Sequence, residues 1–224
     1  MNDENYRVFY TAKPPEFRGR WDEEIWRDAP SLAVDVFRPE GSDHRPQTFC
    51  KLLYDEKMIF CIFRVEDQFV RCTHPEFQSD VWKDSCVEAF FQPGGKTGYF
   101  NFEFNCGGAL LASFVTNPAR VEGRLAEFQP LGPDDDRKIR RFASLPPLVE
   151  PEIREPMTWY LEFAIPWTLM EMYAGCRRTI KGDIWRANFY KCGNETSHPH
   201  WASWRPLKAR NFHDPASFGR LVFV

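Results

Sequence analysis

Apolar and polar residues alternate in short runs along this 224-residue chain. In the clearest run, residues 99–105, three phenylalanines fall on one face, while Asn101 and Glu103 fall on the other. A period of two residues is typical of a β-strand with one buried face. The run therefore predicts a strand whose phenylalanines enter the core and whose polar residues line the opposite face.

Further runs of this kind are separated by clusters of Gly, Pro and Asp. The predicted strands are Lys51–Tyr54, Met58–Glu66, Val87–Phe91, Tyr99–Asn105, Ala109–Val115, Arg140–Phe142, Trp159–Ile165, Ile184–Lys191 and Leu221–Val224. The first two flank residues 55–57 and predict a hairpin. Residues 117–156 show no sustained period, and Thr168–Tyr173 predicts one or two helical turns after Pro166. We predict an all-β fold, an antiparallel β-sandwich of two packed sheets, immunoglobulin-like or jelly-roll-like, with little helix. Residues 1–224 are expected to form a single domain.

Composition narrows the classes of function. The net charge is −3 and no basic stripe stands out, so a nucleic-acid partner is not expected. No run of 18 apolar residues occurs, which argues against a membrane-spanning helix. The N-terminal residues MNDENYRVFY carry no signal-peptide pattern, which predicts a cytoplasmic protein, or a secreted one if a leader was removed.

The seven cysteines are odd in number and lack Cys-x-x-Cys spacing, which argues against a disulfide framework or a structural zinc site. Cys192, His198 and His200 are close in sequence, but no fourth ligand follows at a usual spacing. The acidic triplet at residues 134–136 predicts a solvated loop, because no spaced calcium-ligand pattern follows it. The sequence by itself assigns no metal ligands.

Two glutamates, Glu88 and Glu103, lie on predicted neighbouring strands. One interpretation is a glycosidase acid pair, which requires a fixed separation of the carboxyl groups. A second is that both side chains simply point into solvent. A third is that carboxylates and amides bind the hydroxyl groups of a sugar while nearby aromatic rings cover its C–H faces.

No phosphate-binding loop, dinucleotide fingerprint, nucleophile elbow or zinc-protease motif is present. Eight segments, in order, resemble carbohydrate-binding module family 9: FRGRWDEEIWRDAP, KLLYDEKMIFCIFRVED, VWKDSCVEAFFQP, KTGYFNFEFNCGGALL, TWYLEFAIPW, WRANFYKCG, WASW and NFHDPASFGRLVF. The most characteristic is the third, in which a Trp is followed six residues later by the Glu of a Val-Glu-x-Phe strand. The resemblance covers nearly the whole chain.

The resemblance implies a non-catalytic β-sandwich that holds one sugar ring between two aromatic side chains. It implies structural calcium and, as ligands, mono- or oligosaccharides or the ends of polysaccharide chains. By position, the carbohydrate-binding residues would be Trp82, Glu88, Asn101, Glu103, Asn211 and Phe212.

Two positions depart from the family pattern. Glu103 stands where a basic residue is expected, and Phe212 stands where the family has Trp. Two alternatives to sugar binding therefore stay open. One is a glycoside hydrolase that uses Glu88 and Glu103, and the other is a protein-interaction module with an aromatic surface.

Overall fold

The computed structural model of the chain describes residues 5–224. Within this part of the chain, the structure is mainly β. In chain order its strands are β1 (Asn5–Tyr10), β2 (Leu32–Ala33), β3 (Val36–Phe37), β4 (Gln47–Tyr54), β5 (Met58–Asp67), β6 (Val70–Cys72), β7 (Cys86–Gln92), β8 (Tyr99–Asn105), β9 (Leu110–Val121), β10 (Arg124–Pro130), β11 (Arg140–Ala143), β12 (Val149–Ile153), β13 (Met157–Pro166), β14 (Ile184–Cys192), β15 (Trp201–Ser203) and β16 (Gly219–Phe223). The helices are short: α1 (Glu24–Arg27), α2 (Pro133–Asp136), α3 (Trp167–Ala174), and single 3₁₀ turns at Val81–Lys83 and Pro215–Ser217.

Strands β6 and β12 pair with each other as a small separate sheet. The other strands form two layers that share β1. The first sheet has the order β10-β9-β8-β7-β14-β16-β1, with β15 beside β14 and β3 beside β15. The second has the order β1-β4-β5-β13-β11, with β2 beside β4. Strand β1 pairs with β16 through its first four residues and with β4 through Phe9 and Tyr10. Both of these pairings are parallel, so the predicted antiparallel sandwich is correct apart from this one shared strand.

Phenylalanine rings fill the space between the two sheets. Phe104 of the first sheet stacks on Phe163 of the second, with ring centroids 4.6 Å apart. Phe63 of the second sheet lies 6.3 Å from Phe189 of the first. All four side chains are fully buried. The core therefore consists of the apolar faces that the alternation predicts, interlocked across the sandwich.

Several local predictions are confirmed. The hairpin of β4 and β5 turns on Asp55, whose Oδ1 accepts hydrogen bonds from the backbone N–H groups of Lys57 (2.6 Å) and Met58 (2.7 Å). Helix α3 follows Pro166, as expected for a residue with a fixed φ and no N–H to donate. Strand β8 spans the predicted residues 99–105.

The segment without a sustained period holds strand residues that the pattern does not predict: β9 continues to Val121, beyond its predicted end at Val115, and β10 and β12 are additional strands. Strands β9 and β10 form a long hairpin whose turn is Glu122-Gly123, both with positive φ (49° and 83°). A two-residue loop with two positive φ angles matches the right-handed twist of the flanking strands, and Asn-Gly or Asp-Gly is its usual signal. Glutamate at the first turn position hides that signal. Most of the hairpin's side chains beyond Val115 are also exposed or half-buried, so no alternation of apolar and polar residues marks its strands.

Candidate functional site

The candidate site lies on the outer face of the first sheet, where β8, β7 and β14 run side by side. In the antiparallel register Glu88 lies directly opposite Glu103. Tyr190 is the partner of Glu88 on the other side. The phenylalanines that alternate with these residues point into the core, so period-two geometry directs the polar residues outward.

A pocket of about 480 Å³ opens over this face. Its walls come from the Val81–Lys83 turn, the β9–β10 hairpin and the segment around residues 210–213. All six residues that the resemblance assigns to sugar binding line it: Trp82, Glu88, Asn101, Glu103, Asn211 and Phe212. The structure thus brings together residues up to 130 positions apart in the chain. Their role in binding stays a prediction.

Buried polar groups form the floor of the pocket. Glu88 and Glu103 are only 3% and 5% exposed. Glu103 accepts a hydrogen bond from the Asn101 amide (2.8 Å), and Glu88 accepts one from the Cys192 thiol (3.2 Å). The Asn101 Oδ1 atom has no partner among the described residues. A buried polar atom without a partner costs free energy, so the floor keeps one unused hydrogen-bond acceptor at that cost.

The two floor carboxyls resist ionisation. Burial raises the pKa of Glu88 well above its ordinary value, and the negative charge of Glu103 raises it further. Burial also raises the pKa of Glu103 to about 7, although the Asn101 amide and Arg120 lower it in part. A protonated carboxyl can donate a hydrogen bond as well as accept one. Near neutral pH the floor therefore offers both donors and acceptors to hydroxyl groups.

Aromatic rings stand at the sides of the pocket. Phe212 stacks on Tyr190, with centroids 4.1 Å apart, and the Tyr190 hydroxyl donates to the Phe212 carbonyl oxygen (2.9 Å). Tyr190 thus covers one face of the Phe212 ring. Trp82 is half-buried, and the Lys83 ammonium lies 5.5 Å from the centroid of its ring. These contacts fix the two predicted rings in place on different segments of the wall.

The neighbours of Phe212 include two residues with mainly structural contacts. The Asn211 side chain accepts from the backbone N–H of His213 (3.1 Å), so its oxygen is used in a local turn. The His213 ring packs against Phe90 and Tyr99, and the Tyr99 hydroxyl is 2.8 Å from its Nδ1. Burial and the charge of Arg120 lower the pKa of His213 to about 3. His213 is thus a neutral wall residue that the sequence pattern did not identify.

Arginines occupy the rim. Arg38 lies over the Trp201 ring at 5.2 Å, and Glu40 forms ion pairs with both Arg38 and Arg210. Arg120 projects from the β9–β10 hairpin toward the same opening and is exposed. None of these three cations was predicted, because all three lie in segments without a periodic pattern. For Arg120 the remaining sequence signal is Gly123 of the hairpin turn, which Glu122 partly hides.

The other tryptophans behave largely as packing residues. Trp21, Trp26, Trp159 and Trp167 are buried. Trp201 lines the pocket and donates through Nε1 to the Asn194 side-chain oxygen (2.7 Å). Trp204 instead packs against Phe189 in the core.

The His-Pro-His segment does not assemble a metal site with Cys192. His200 Nε2 lies 2.7 Å from the ammonium of Lys191, the residue next to Cys192. Consecutive residues of a strand point to opposite faces, so Lys191 turns inward while Cys192 turns toward the pocket. Lys191 is fully buried and also pairs with Asp67 (3.3 Å). The histidine thus belongs to an internal ion-pair network.

Calcium binding, which the resemblance implies, stays a prediction, and two acidic groups are candidates for its ligands. Asp135 and Asp136 of the acidic triplet are paired with Lys138 and Arg141, and Asp134 is paired with Arg137. The triplet forms helix α2 in place of the predicted loop. Buried Asp84 accepts hydrogen bonds from Thr73, His74 and Asn105 at 2.9–3.1 Å. The protein's own donors satisfy these carboxylates, so neither group presents an open set of oxygen ligands.

The geometry defines a β-sandwich with a small, polar-floored ligand pocket. Comparison with known families matches residues 25–223 to the model of carbohydrate-binding family 9. The chain therefore belongs to carbohydrate-binding family 9. Among residues 5–224, no helix has the length and apolar character needed to cross a membrane.

Solved structures share the fold over almost the whole chain. A provisionally assigned carbohydrate-binding protein from Bacteroides uniformis ATCC 8492 is 26% identical, with a TM-score of 0.82 over 98% of this chain and 99% of that one. A family 9 module from Caldicellulosiruptor kristjanssonii in complex with glucose is 13% identical (TM-score 0.61; 97% and 95% covered). The same kind of module in complex with cellotriose is also 13% identical (TM-score 0.62; 98% and 93% covered). No curated protein matches the chain.

Proposed function

We propose that this chain is a non-catalytic module that binds one sugar ring in the pocket above Glu88 and Glu103. The observation that carries the proposal is a pocket of about 480 Å³ with aromatic walls and an incompletely hydrogen-bonded polar floor. Apolar walls suit the C–H faces of a pyranose, and buried donors and acceptors suit its hydroxyl groups.

In this proposal each part of the pocket has a distinct task. Trp82 and Phe212 contact the two faces of the ring, and Tyr190 holds Phe212 in position by stacking. Glu88, Asn101 and Glu103 bind hydroxyl groups, with the free Asn101 Oδ1 as an acceptor. Asn211 shapes the wall through its turn. The rim arginines lie where a second sugar unit would leave the pocket, which fits an oligosaccharide or a chain end.

The glucose and cellotriose complexes of the relatives suggest which ligands to test first. A single sugar leaves a modest surplus after the costs of binding, so we expect dissociation constants of roughly μM to mM. Titration calorimetry with glucose, cellobiose, cellotriose and xylose is the direct measurement. The absence of binding heat with every sugar, up to about 10 mM, would refute the proposal.

Trp82→Ala gives the sharpest variant. Loss of one ring face should weaken sugar binding at least about tenfold, or about 1.4 kcal/mol. Tyr10→Ala is the matched control, because Tyr10 is an aromatic residue 49% exposed and outside the pocket. Equal affinity in the two variants would show that Trp82 does not contact the sugar.

A hydrolase based on Glu88 and Glu103 is the second candidate, because both carboxyls face the same pocket and have raised pKa values. Directly opposite residues on neighbouring strands have Cβ atoms about 4.5–5.5 Å apart. Both carboxyls thus approach a ligand from beneath, whereas glycosidase acids flank the bond that breaks. We expect no turnover of aryl glycosides. Turnover that disappears in Glu88→Gln would replace the binding proposal with the enzyme.

The exposed large apolar residues bear on the interaction-module alternative. Five lie on different helices or strands, and two lie in the connections between elements: Tyr10, Val121, Phe128, Met172 and Ile184, and Leu148 and Ile180. Scattered apolar side chains are normal on a protein surface and do not by themselves mark an interface. The polar floor of the pocket therefore favours a sugar over a protein partner.

A further inference from the structure

Three ligating side chains meet at one corner of the pocket floor. The Cys86 and Cys192 sulfurs and a carboxylate oxygen of Glu88 all lie within 4.8 Å of one another. The strand register explains the cluster, since Cys86 lies directly opposite Cys192 on β14. Glu88 is two residues further along β7 and therefore points to the same face.

We propose that Cys86, Glu88 and Cys192 form a binding site for a divalent cation that accepts sulfur ligands, with Zn²⁺ as the best match. Two thiolates and a carboxylate suit zinc and exclude a calcium or magnesium preference, because those ions take oxygen ligands. The site is distinct from the calcium that the family resemblance implies. It shares Glu88 with the proposed sugar pocket, but its test does not require a sugar.

The distances fit a tetrahedral ion with little movement. Zn–S bonds of about 2.3 Å and a Zn–O bond of about 2.1 Å place ligand atoms about 3.6–3.8 Å apart in a tetrahedron. The Cys192 sulfur lies 3.2 Å from Glu88 Oε1, and no pair in the cluster exceeds 4.8 Å. Shifts of a few tenths of an ångström to about 1 Å at the sulfur and carboxylate atoms would complete the geometry. Rotation of the side chains can supply shifts of that size.

The cluster is accessible from one side only. Glu88 and Cys192 line the pocket, whereas Cys86 is fully buried beneath them. Three protein ligands leave a fourth position toward the pocket, where a water molecule or a ligand oxygen could complete the tetrahedron. A divalent cation there would offset most of the negative charge of its own two thiolates and the Glu88 carboxylate.

The remaining thiols show why this corner differs. The sulfurs of Cys50 and Cys61 are 3.2 Å apart, yet no third ligand joins them among the described residues. Cys72 donates to the carbonyl oxygen of Pro147 (3.2 Å), and Cys106 donates to that of Arg71 (3.5 Å). Within residues 5–224, three such ligand atoms converge only at the pocket floor.

Cobalt is the spectroscopic probe for this site. The full chain, kept reduced with a non-thiol reductant, is titrated with Co²⁺ in the absence of sugar. We expect thiolate-to-cobalt charge-transfer bands in the near ultraviolet and visible bands of a tetrahedral ion, saturating at one ion per chain. Zn²⁺ should then displace the cobalt and abolish both sets of bands. Because no sugar is present, failure here leaves the proposed function untouched, and the reverse also holds.

Variants test the ligand assignment. Cys192→Ser and Cys86→Ser should lose most of the charge-transfer intensity, and Glu88→Gln should weaken binding at least about tenfold. Cys176→Ser is the matched control, because Cys176 is a nearly buried thiol that does not line the pocket. Circular dichroism verifies that each variant is folded. A folded, reduced wild-type protein without charge-transfer bands overturns the proposal, as do bands that survive in Cys192→Ser.

Discussion

Acid should destabilise this protein in part through the buried histidine His200. His200 is 1% exposed. Its Nδ1 donates to the carbonyl oxygen of His198 (2.9 Å), which leaves Nε2 to accept from the Lys191 ammonium (2.7 Å). Burial and the charge of Lys191 lower the pKa of His200 to about 3, although Asp67 opposes this in part. The folded protein therefore holds His200 neutral.

The pKa of His200 in the unfolded and in the folded protein determines how stability changes with pH. In the unfolded chain His200 takes up a proton near its ordinary pKa of about 6.5, whereas in the folded protein it does so only near 3. The stability that depends on neutral His200 is thus fully present above about pH 6.5 and is lost progressively as the pH falls toward 3. Proton linkage gives a loss of about 2 kcal/mol between pH 8 and pH 5, which grows to about 5 kcal/mol once the folded protein is protonated as well, below about pH 3.

Urea unfolding at a series of pH values measures this loss. His200→Gln is the matched variant, because its amide can donate to the His198 carbonyl and accept from Lys191 without titrating. We expect the wild type to lose about 2 kcal/mol more than the variant between about pH 8 and pH 5. Parallel pH profiles for the two proteins would refute the assignment of a neutral, buried His200.

Three further predictions concern the floor, the packing and the core. Burial raises the pKa of Glu103, so its ionisation destabilises the folded protein. Glu103→Gln should therefore gain stability relative to wild type as the pH rises from about 5 to 8. A difference between the urea midpoints of the two proteins that stays constant with pH would contradict this. Gly98→Ala would place a Cβ 2.4 Å from the Phe114 ring. This overpacking should lower the free energy of unfolding by about 1–3 kcal/mol. An unchanged urea midpoint would show that the ring moves freely. Phe104→Ala, at the contact between the sheets, should cost about 3–5 kcal/mol in the same assay, and a loss below about 1 kcal/mol would mean that the sandwich does not pack through this ring.

The family resemblance anticipated much of the candidate site, and spacing alone anticipated less. The six residue positions came from matched segments, and all six line one pocket. Spacing by itself left Glu88 and Glu103 open to three interpretations, of which solvent exposure was one. The structure excludes exposure, since both side chains are buried. Cys192 is close in sequence to His198 and His200, which suggested a shared metal site. In the structure the Cys192 side chain faces Glu88, whereas His200 contacts Lys191 on the other face of the strand.

The sequence by itself determined which residues of each strand share a face. A period of two residues is a local property of the extended chain, so Phe104 could be assigned to the core and Glu103 to the opposite face without knowledge of the fold. Pro166 likewise ends β13 and precedes α3, because its ring fixes φ and leaves no N–H to donate.

Only the tertiary structure decided what covers the outer face of the first sheet and which strands are neighbours. Three segments distant in sequence fold over Glu88 and Glu103, and they convert a face that local pattern expects to be solvated into a buried floor. The pairing of β7 with β14 brings Cys86 opposite Cys192, 106 residues away. Strand order depends on the packing of the whole sandwich, which no local period encodes. The pocket, its raised pKa values and the sulfur cluster all arise at that level.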